Sequence, residues 1–287
     1  MRASHVPRLR LYHHPDGARV AYREMGAGPP LALLHAGLLS HREWEPVAAA
    51  LAERHRVVMP DLPLHGDSED RPRHPYTVEW FAEVMSGFCA DVLGPDPLLA
   101  GHGAGAEILL RAIDAGLVAP SRLVLMPNRL HLPPPPAVAH RRELWRLATL
   151  TGSLPGLDRA LSHATRLVFT PGLGVRLSDR GVPEAGDLIR HAFADVPGNP
   201  NLARSWAKCA RRWPRGAQTQ LLELYPRLPM PVLLLWADHD RLHPLGGTEE
   251  TVRLLPCGQL RVLASTGFLM TYDDPVGVAR EIVAFCG

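Results

Sequence analysis

Cysteine and lysine are scarce in this 287-residue sequence. The four cysteines lie far apart and form no C-x-x-C pair, a spacing that favours a reduced, cytoplasmic protein. Lys208 is the one lysine beside many arginines, a bias typical of a GC-rich bacterial genome. The formal charge of +2 and the lack of a Lys/Arg run predict no nucleic-acid partner.

Long apolar runs and cofactor motifs are missing as well. No stretch approaches the roughly 20 apolar residues of a membrane span, and the first residues carry no apolar run of the signal-peptide type. No phosphate-binding loop or dinucleotide fingerprint occurs. The sequence therefore predicts no membrane partner, no cofactor and no metal.

An alternation of short apolar runs and helical patterns is what the sequence does contain. Two strands joined by a "PDG" turn come first. Runs that are apolar on both faces follow, as is typical of buried parallel strands: PPLALLHAG, HRVVMPDLP, PDPLLAGHG, SRLVLMP, MPVLLLWAD and QLRVLAST. Amphipathic segments lie between them, which predicts an α/β fold with a mostly parallel central sheet and helices on both faces.

One long segment interrupts this alternation. Residues 128–227 contain helix-like stretches but no convincing strand, and they begin near the proline run HLPPPP. We therefore predict an α/β core formed by residues 1–127 and 228–287, with residues 128–227 inserted as a helical cap.

Four motifs occur in an order that resembles the α/β-hydrolase fold superfamily. They are LLHAGLL, DLPLHGDS, LLAGHGAGAEILLRA and PVLLLWADHDRLHP, and the segment LASTGFLMTYDDP follows them. The resemblance covers nearly the whole chain and implies an oxyanion loop, a nucleophile elbow, an acid turn and a histidine loop.

The resemblance implies a divergent active site. The elbow nucleophile would fall at Gly103 and the catalytic histidine at Phe268, whereas the acid is retained as Asp240. Glycine supplies no attacking oxygen and phenylalanine moves no proton. The segment GAGAEILLRA also resembles the elbow of the N-myc downstream-regulated proteins, which share the fold, carry glycine at this position and are regarded as non-enzymatic.

The candidate site residues fall into three groups. The resemblance implies that backbone N–H groups of Gly37 or Leu38 and of Ala104 form an oxyanion hole. Candidates for an acid or base are Asp240, His131 and His243. Gly103, Phe268, Met270 and Asn128 are predicted to bind substrate. For His35 and His102 we expect structural roles.

The functional prediction favours a cofactor-free, non-hydrolytic enzyme: a cyclase, lyase, isomerase or decarboxylase. Its substrate would be a small hydrophobic molecule with a carbonyl or hydroxyl group, and a place in bacterial secondary metabolism is one hypothesis. One alternative is a non-catalytic protein that binds a small ligand or a partner. Another is an atypical hydrolase whose activated water occupies the space above Gly103.

Overall fold

An eight-stranded sheet forms the centre of the molecule. The computed structural model describes residues 7–69, 71, 73–136, 139, 140, 143, 144, 147, 157–192 and 194–287. The strands lie in the order β1-β2-β4-β3-β5-β6-β7-β8. Their bounds are Arg8–His13, Arg19–Met25, Pro30–Leu34, Arg56–Pro60, Leu98–Gly101, Arg122–Leu125, Val232–Ala237 and Gly258–Leu263, numbered β1 to β8 along the chain. The N-terminal hairpin and the six later strands are thus confirmed.

The side of the sheet on which successive strands are added changes beside β3. Strands β1, β2 and β4 pair antiparallel, whereas β3 pairs in parallel with β4 on one side and with β5 on the other. Leu34 and Gly101 are partners at the carboxyl ends of β3 and β5. Open α/β sheets bind ligands outside such a switch point, so the loops after these two strands mark the expected site.

Helices cover both faces of the sheet. In chain order, α1 to α11 are Glu45–Leu51, Val78–Phe88, Ala104–Asp114, Leu157–Val168, Pro171–Leu177, Glu184–Ala192, Pro200–Arg212, Leu221–Leu224, Thr248–Leu254, Met270–Asp273 and Pro275–Cys286. Apolar residues of α2 and α3 join one buried cluster, and those of α1 and α11 join another. The residues of the central strands β3 to β7 therefore contribute to one or the other of two cores, which explains why the sequence of these strands is apolar on both faces.

Every secondary-structure element that is described between β6 and β7 is a helix. Helices α4 to α8 lie there, and no strand occurs among the described residues of this insertion. Their amphipathic faces pack over the carboxyl ends of the strands, where Leu188 and Ile189 meet Phe268 and Leu269 of the core. No helix in the described part of the chain has the length and apolar character that crossing a bilayer requires.

Candidate functional site

A cavity of about 820 Å³ lies between the insertion and the carboxyl ends of the strands. Its core side is lined by Gly37, Leu38, Gly103, His243 and Phe268 among others, and most of the lining side chains are apolar. Helices of the insertion supply the opposite wall. The position matches the switch point between β3 and β5, and the volume suits a small organic molecule.

Gly103 forms a strained turn between β5 and α3. Its φ of 51° and ψ of −115° lie outside the regions that residues with a Cβ ordinarily occupy. Backbone contacts hold the turn, because the Gly103 N–H donates to Pro127 O at 3.0 Å and Glu107 N–H donates to Gly103 O at 3.1 Å. The small residues around it also allow close packing, since a Cβ at Gly105 would collide with Leu34 O. The prediction of a tight strand–turn–helix junction is confirmed.

The space above Gly103 is narrow and bordered by carbon. An ideal Cβ at this position would lie 2.9 Å from the Ala36 methyl carbon and 3.8 Å from Cζ of Phe268. The first distance is shorter than real Cβ contacts allow. Ala36 and Gly103 therefore pack as a complementary pair, and a side chain at position 103 would require Ala36 to shift.

The backbone N–H groups of Ala104 and of the loop after β3 are candidate donors beside this turn. Ala104 is the first residue of α3, so its N–H has no partner within the helix. A Cβ on Gly37 would lie 3.3 Å from the Ala104 methyl carbon, which places the two residues side by side. Leu38 differs, because its N–H donates to Nε2 of His65 at 3.2 Å. Of the two oxyanion candidates in this loop, Gly37 is the one whose N–H is not used by a described residue.

Asp240 and His243 form an acid–histidine pair in the cavity wall. Asp240 follows β7, and its Oδ1 accepts the Leu242 N–H at 2.7 Å, which tightens the turn. Its Oδ2 accepts a hydrogen bond from Nδ1 of His243 at 3.2 Å. The His243 carbonyl accepts the indole N–H of the fully buried Trp236 at 2.8 Å. With Nδ1 as the donor, the lone pair of the neutral ring lies on Nε2.

The charge of Asp240 is stabilised by these contacts. Burial alone would raise the pKa of its carboxyl, but the hydrogen bonds from His243 and Leu242 and the nearby histidines outweigh burial and lower that pKa below its usual value. Asp240 itself is buried behind His243, which is the member of the pair that lines the cavity. A carboxylate that orients a histidine is the arrangement a general base requires.

The Phe268 ring lies close to two histidines. Its centroid is 5.5 Å from that of His243 and 4.4 Å from that of His102. His102 is fully buried and does not line the cavity. Its Nδ1 bonds to the carboxylate of Glu43, which is also fully buried. No sequence pattern had singled out Glu43.

Besides Asp240, three further predicted residues lie outside the lining of this cavity. Asn128 instead bridges Met126 O and the Leu130 N–H at 2.8 Å each, so its amide stabilises a turn. His131 bonds through Nε2 to Glu250 at 3.1 Å, beside the base of the insertion. Met270 is fully buried in the cluster that α1 and α11 share.

His35 and His65 are buried and neutral. Nδ1 of His35 donates to Ala36 O and Nε2 accepts the Leu62 N–H, so the ring holds the loop backbone, as we expected for this residue. Burial lowers the pKa of His35 to about 3, and burial lowers the pKa of His65 to about 4. Both rings thus stabilise the oxyanion loop without carrying charge near neutral pH.

A cluster of possible metal ligands lies near the cavity. His41, Asp61 and Asp67 bring ligand atoms within 4.8 Å of one another. Arg23 already contacts this cluster, with its guanidinium 2.7 Å from Asp67 and 3.8 Å from Asp61. The Asp61 carboxylate also accepts the backbone N–H groups of His41 and Asp67. These contacts compensate the acidic charge, and we assign no metal to the cluster.

Comparisons with known proteins agree with this geometry. The model of the alpha/beta hydrolase family matches residues 31–281. An uncharacterized protein of Mycobacterium tuberculosis is 25% identical over 282 residues, which cover 94% of this chain and 79% of that protein. The magnesium-chelatase 30 kDa subunit of Rhodobacter capsulatus is 26% identical over 236 residues, 82% of this chain and 78% of that subunit.

A solved structure shows the same fold over almost the full length. The alpha/beta hydrolase fold protein from Burkholderia ambifaria superimposes with a TM-score of 0.80 at 22% identity, covering 96% of this chain and 97% of that one. At this identity the likeness concerns the fold alone. The family match extends from β3 into α11 and so includes both site loops. The chain belongs to the alpha/beta hydrolase family.

Proposed function

We propose that this protein is a cofactor-free enzyme that moves a proton on a small apolar substrate bearing a carbonyl group. In this proposal it lacks the family's nucleophile, because Gly103 stands at the elbow, and it lacks the family's histidine, because Phe268 stands in the histidine loop. His243 takes over as general base, and Asp240 orients it. The N–H groups of Gly37 and Ala104 hold the carbonyl oxygen.

The observation that carries this proposal is the Asp240–His243 hydrogen bond in the cavity wall. Nε2 of a neutral His243 removes a proton from the carbon next to the carbonyl, and the electron pair moves onto the oxygen. The two N–H donors stabilise the resulting enolate. In a β,γ-unsaturated substrate, return of the proton to the γ-carbon gives isomerisation, and in a substrate with a β-substituent, departure of that group with its bonding electron pair gives elimination. Neither reaction requires an acyl-enzyme.

Deuterium exchange tests this chemistry without the natural substrate. The ketone 2-tetralone is incubated with the protein in D2O, and deuterium incorporation next to its carbonyl is followed by NMR. We expect His243→Gln to lower the enzyme-catalysed exchange rate about 100-fold or more, the usual scale for a general base. His239→Gln is the matched control, because His239 is an exposed histidine that bonds to Asp179 at 2.9 Å. Equal exchange rates in the wild type and His243→Gln would remove His243 from the mechanism.

Hydrolysis through an activated water is tested in the same samples. The proposal predicts no labelling by a fluorophosphonate, since no serine stands at the turn. It also predicts no incorporation of ¹⁸O from labelled water into the acid released from 4-nitrophenyl butyrate above the buffer rate. A water directly above Gly103 is less well supported, because carbons of Ala36 and Phe268 border that space.

A second candidate function is a non-catalytic subunit that binds a ligand or a partner. The name of the Rhodobacter capsulatus relative, a subunit of magnesium chelatase, favours it. Calorimetry with 2-tetralone separates the two candidates. Binding without accelerated exchange in the wild type supports the subunit and contradicts the enzyme. Gly103→Leu, which fills the cavity floor, is expected to abolish binding in both cases.

A further inference from the structure

Glu43 joins two loops that the sheet alone leaves unconnected. Its Oε2 accepts the Ala36 N–H at 2.7 Å, and its Oε1 bonds to Nδ1 of His102. Ala36 precedes Gly37 in the loop after β3, and His102 precedes Gly103 in the turn after β5. One carboxylate therefore contacts both loops that carry the proposed oxyanion donors.

Burial of the Glu43–His102 pair has a free-energy cost, which suggests a specific role for it. Glu43 and His102 are fully buried, and an ionised carboxylate loses its hydration when it is removed from water. Nε2 of His102 has no hydrogen-bond partner among the described residues, so the pair is not part of a larger polar network there. A well-packed apolar pair would fill the same space at less cost.

Oxyanion stabilisation depends on distances of a few tenths of an ångström. Donors must lie about 2.7–3.1 Å from the oxygen to be effective. The Ala104 donor is fixed by α3. The Gly37 donor lies in a loop that adopts a strained backbone, because Leu38 has a φ of 70°. The Glu43 contact to Ala36, one residue before Gly37, holds this loop against the helix turn.

We propose that Glu43, acting through Ala36 and His102, is a positioning residue that sets the spacing of the Gly37 and Ala104 N–H groups. This inference rests on the proposed function only in taking these two groups as the anion site. The inference assigns a role to Glu43, a residue that does not contact the substrate. It predicts that the loss of Glu43 weakens the binding of an oxyanion much more than that of a neutral ligand of the same shape.

Two coumarins provide matched probes. 7-Hydroxycoumarin ionises to a phenolate, and its fluorescence and absorbance report the ionisation state, whereas 7-methoxycoumarin stays neutral. The wild type is expected to bind the phenolate more tightly than the ether and to lower the pKa of bound 7-hydroxycoumarin. Glu43→Leu removes both contacts at similar side-chain size. We expect it to weaken phenolate binding about 10- to 100-fold, the range for one hydrogen bond to a charged group, with little change for the ether.

The conservative variant separates positioning from bulk structure and from charge. In Glu43→Gln the amide oxygen can accept the Ala36 N–H, and the amide NH₂ can donate to Nδ1 of His102 once the histidine proton moves to Nε2. This variant is expected to recover most of the phenolate preference. If Glu43→Leu does not fold, Glu43→Asp is used instead, because its side chain is one methylene shorter and cannot reach both partners.

The outcomes are distinct from those of the deuterium exchange, because coumarin binding requires no turnover. A folded Glu43→Leu or Glu43→Asp variant with an unchanged preference for phenolate over ether overturns the inference. So does a wild type without that preference. Equal weakening for both probes shows a structural role only and also overturns it. A protein that passes this test but fails to exchange deuterium retains the anion site and loses the proposed reaction.

Discussion

Two histidine–carboxylate pairs each place a histidine beside the Phe268 ring, and only one of these pairs reaches the cavity. His243 with Asp240 lines the cavity, whereas His102 with Glu43 is sealed in the interior. The functional groups are the same in both. What differs is access: a histidine at the cavity wall can exchange a proton with a ligand, while a sealed histidine can only hold its neighbours in place. If His243 is the base that we propose, the access of each pair to the cavity, rather than its residue types, separates a histidine that moves a proton from one that holds its neighbours in place.

The pairs also differ in how the chain brings them together. Asp240 and His243 are three residues apart in one turn. Glu43 and His102 are separated by 59 residues and meet only when β3 and β5 are paired. The first pair therefore depends on local geometry, and the second depends on the complete sheet.

Replacing each acid by its amide is the strongest test of this comparison. Asp240→Asn is expected to lower the rate of 2-tetralone deuterium exchange about 100-fold or more, because an amide that donates to Nδ1 puts the histidine proton on the wrong nitrogen. Glu43→Gln can keep both of its contacts and is expected to stay much closer to the wild-type rate. NMR exchange rates of the two variants give the answer. A larger loss in Glu43→Gln than in Asp240→Asn would reverse the roles of the two pairs.

Removing one partner from the sealed pair is expected to cost the most stability. Glu43→Leu leaves the Ala36 N–H and the His102 ring without their acceptor, and breaking such a buried pair costs about 3–5 kcal/mol. Asp240→Asn at the cavity wall keeps the shape of the side chain and is expected to cost about 1 kcal/mol. Urea unfolding measures both values. If the two variants have the same midpoint, access to the cavity does not distinguish the pairs energetically.

A serine at position 103, in the floor of the cavity, is expected to lower the free energy of unfolding. Gly103→Ser would bring a Cβ to 2.9 Å from the Ala36 methyl carbon, and overpacking of this kind typically costs about 1–3 kcal/mol. In the double variant Ala36→Gly/Gly103→Ser the contact is relieved, and we expect the packing part of this loss to be recovered, whereas the backbone strain of a side chain at a φ of 51° remains. A double-mutant cycle from urea unfolding gives the coupling energy. Additive effects would show that the two positions do not pack against each other.

The pH dependence of stability extends the comparison to His65, a buried histidine that has no hydrogen-bonded carboxylate among the described residues. Burial lowers the pKa of His65 to about 4 from its ordinary value of 6.5, so between these values the unfolded chain binds more protons than the folded one. The contribution of His65 to stability is complete above about pH 6.5 and falls by about 1.4 kcal/mol for each pH unit down to about pH 4.

His65→Gln provides the control for this effect. A glutamine can donate to Pro63 O and accept the Leu38 N–H, as His65 does, but it does not titrate. We expect the slope of unfolding free energy against pH to decrease by about one proton in this window. An unchanged slope in a folded variant would mean that His65 takes up its proton in the native state.

The sequence predicts the fold well because burial on both faces leaves a strong local pattern. Runs such as "VLLLWA" in β7 are apolar throughout, and the structure has a strand at each of them. The pattern is less informative at the end of α2, where residues 89–93 form a wider helical turn that an apolar pattern does not distinguish from an α-helix.

Only part of the candidate site can be predicted from the sequence. Gly103 and Phe268 stand out because they replace expected residues, and His243 stands out through its nearness to Asp240. Glu43 leaves no such mark, because a lone glutamate near the start of a helix is usually solvated. Asn128 and Met270 flank the site along the chain, but their side chains turn into the backbone and into the core. Side-chain direction at the end of a strand depends on tertiary packing, which local pattern does not encode.

The turn at Gly103 is stabilised by backbone hydrogen bonds to Pro127 and Glu107 rather than by any side chain. A turn held in that way does not depend on the chemistry of the side chains around it. It makes the chain a convenient starting point for laboratory evolution: Ala36→Gly, Gly103→Ser and Phe268→His would rebuild an attacking oxygen and a proton carrier on an unchanged scaffold. The new histidine would then compete with His243 for the one carboxylate of Asp240. Competition between two histidines for the Asp240 carboxylate, and not the fold, would therefore limit the exchange of one reaction for the other.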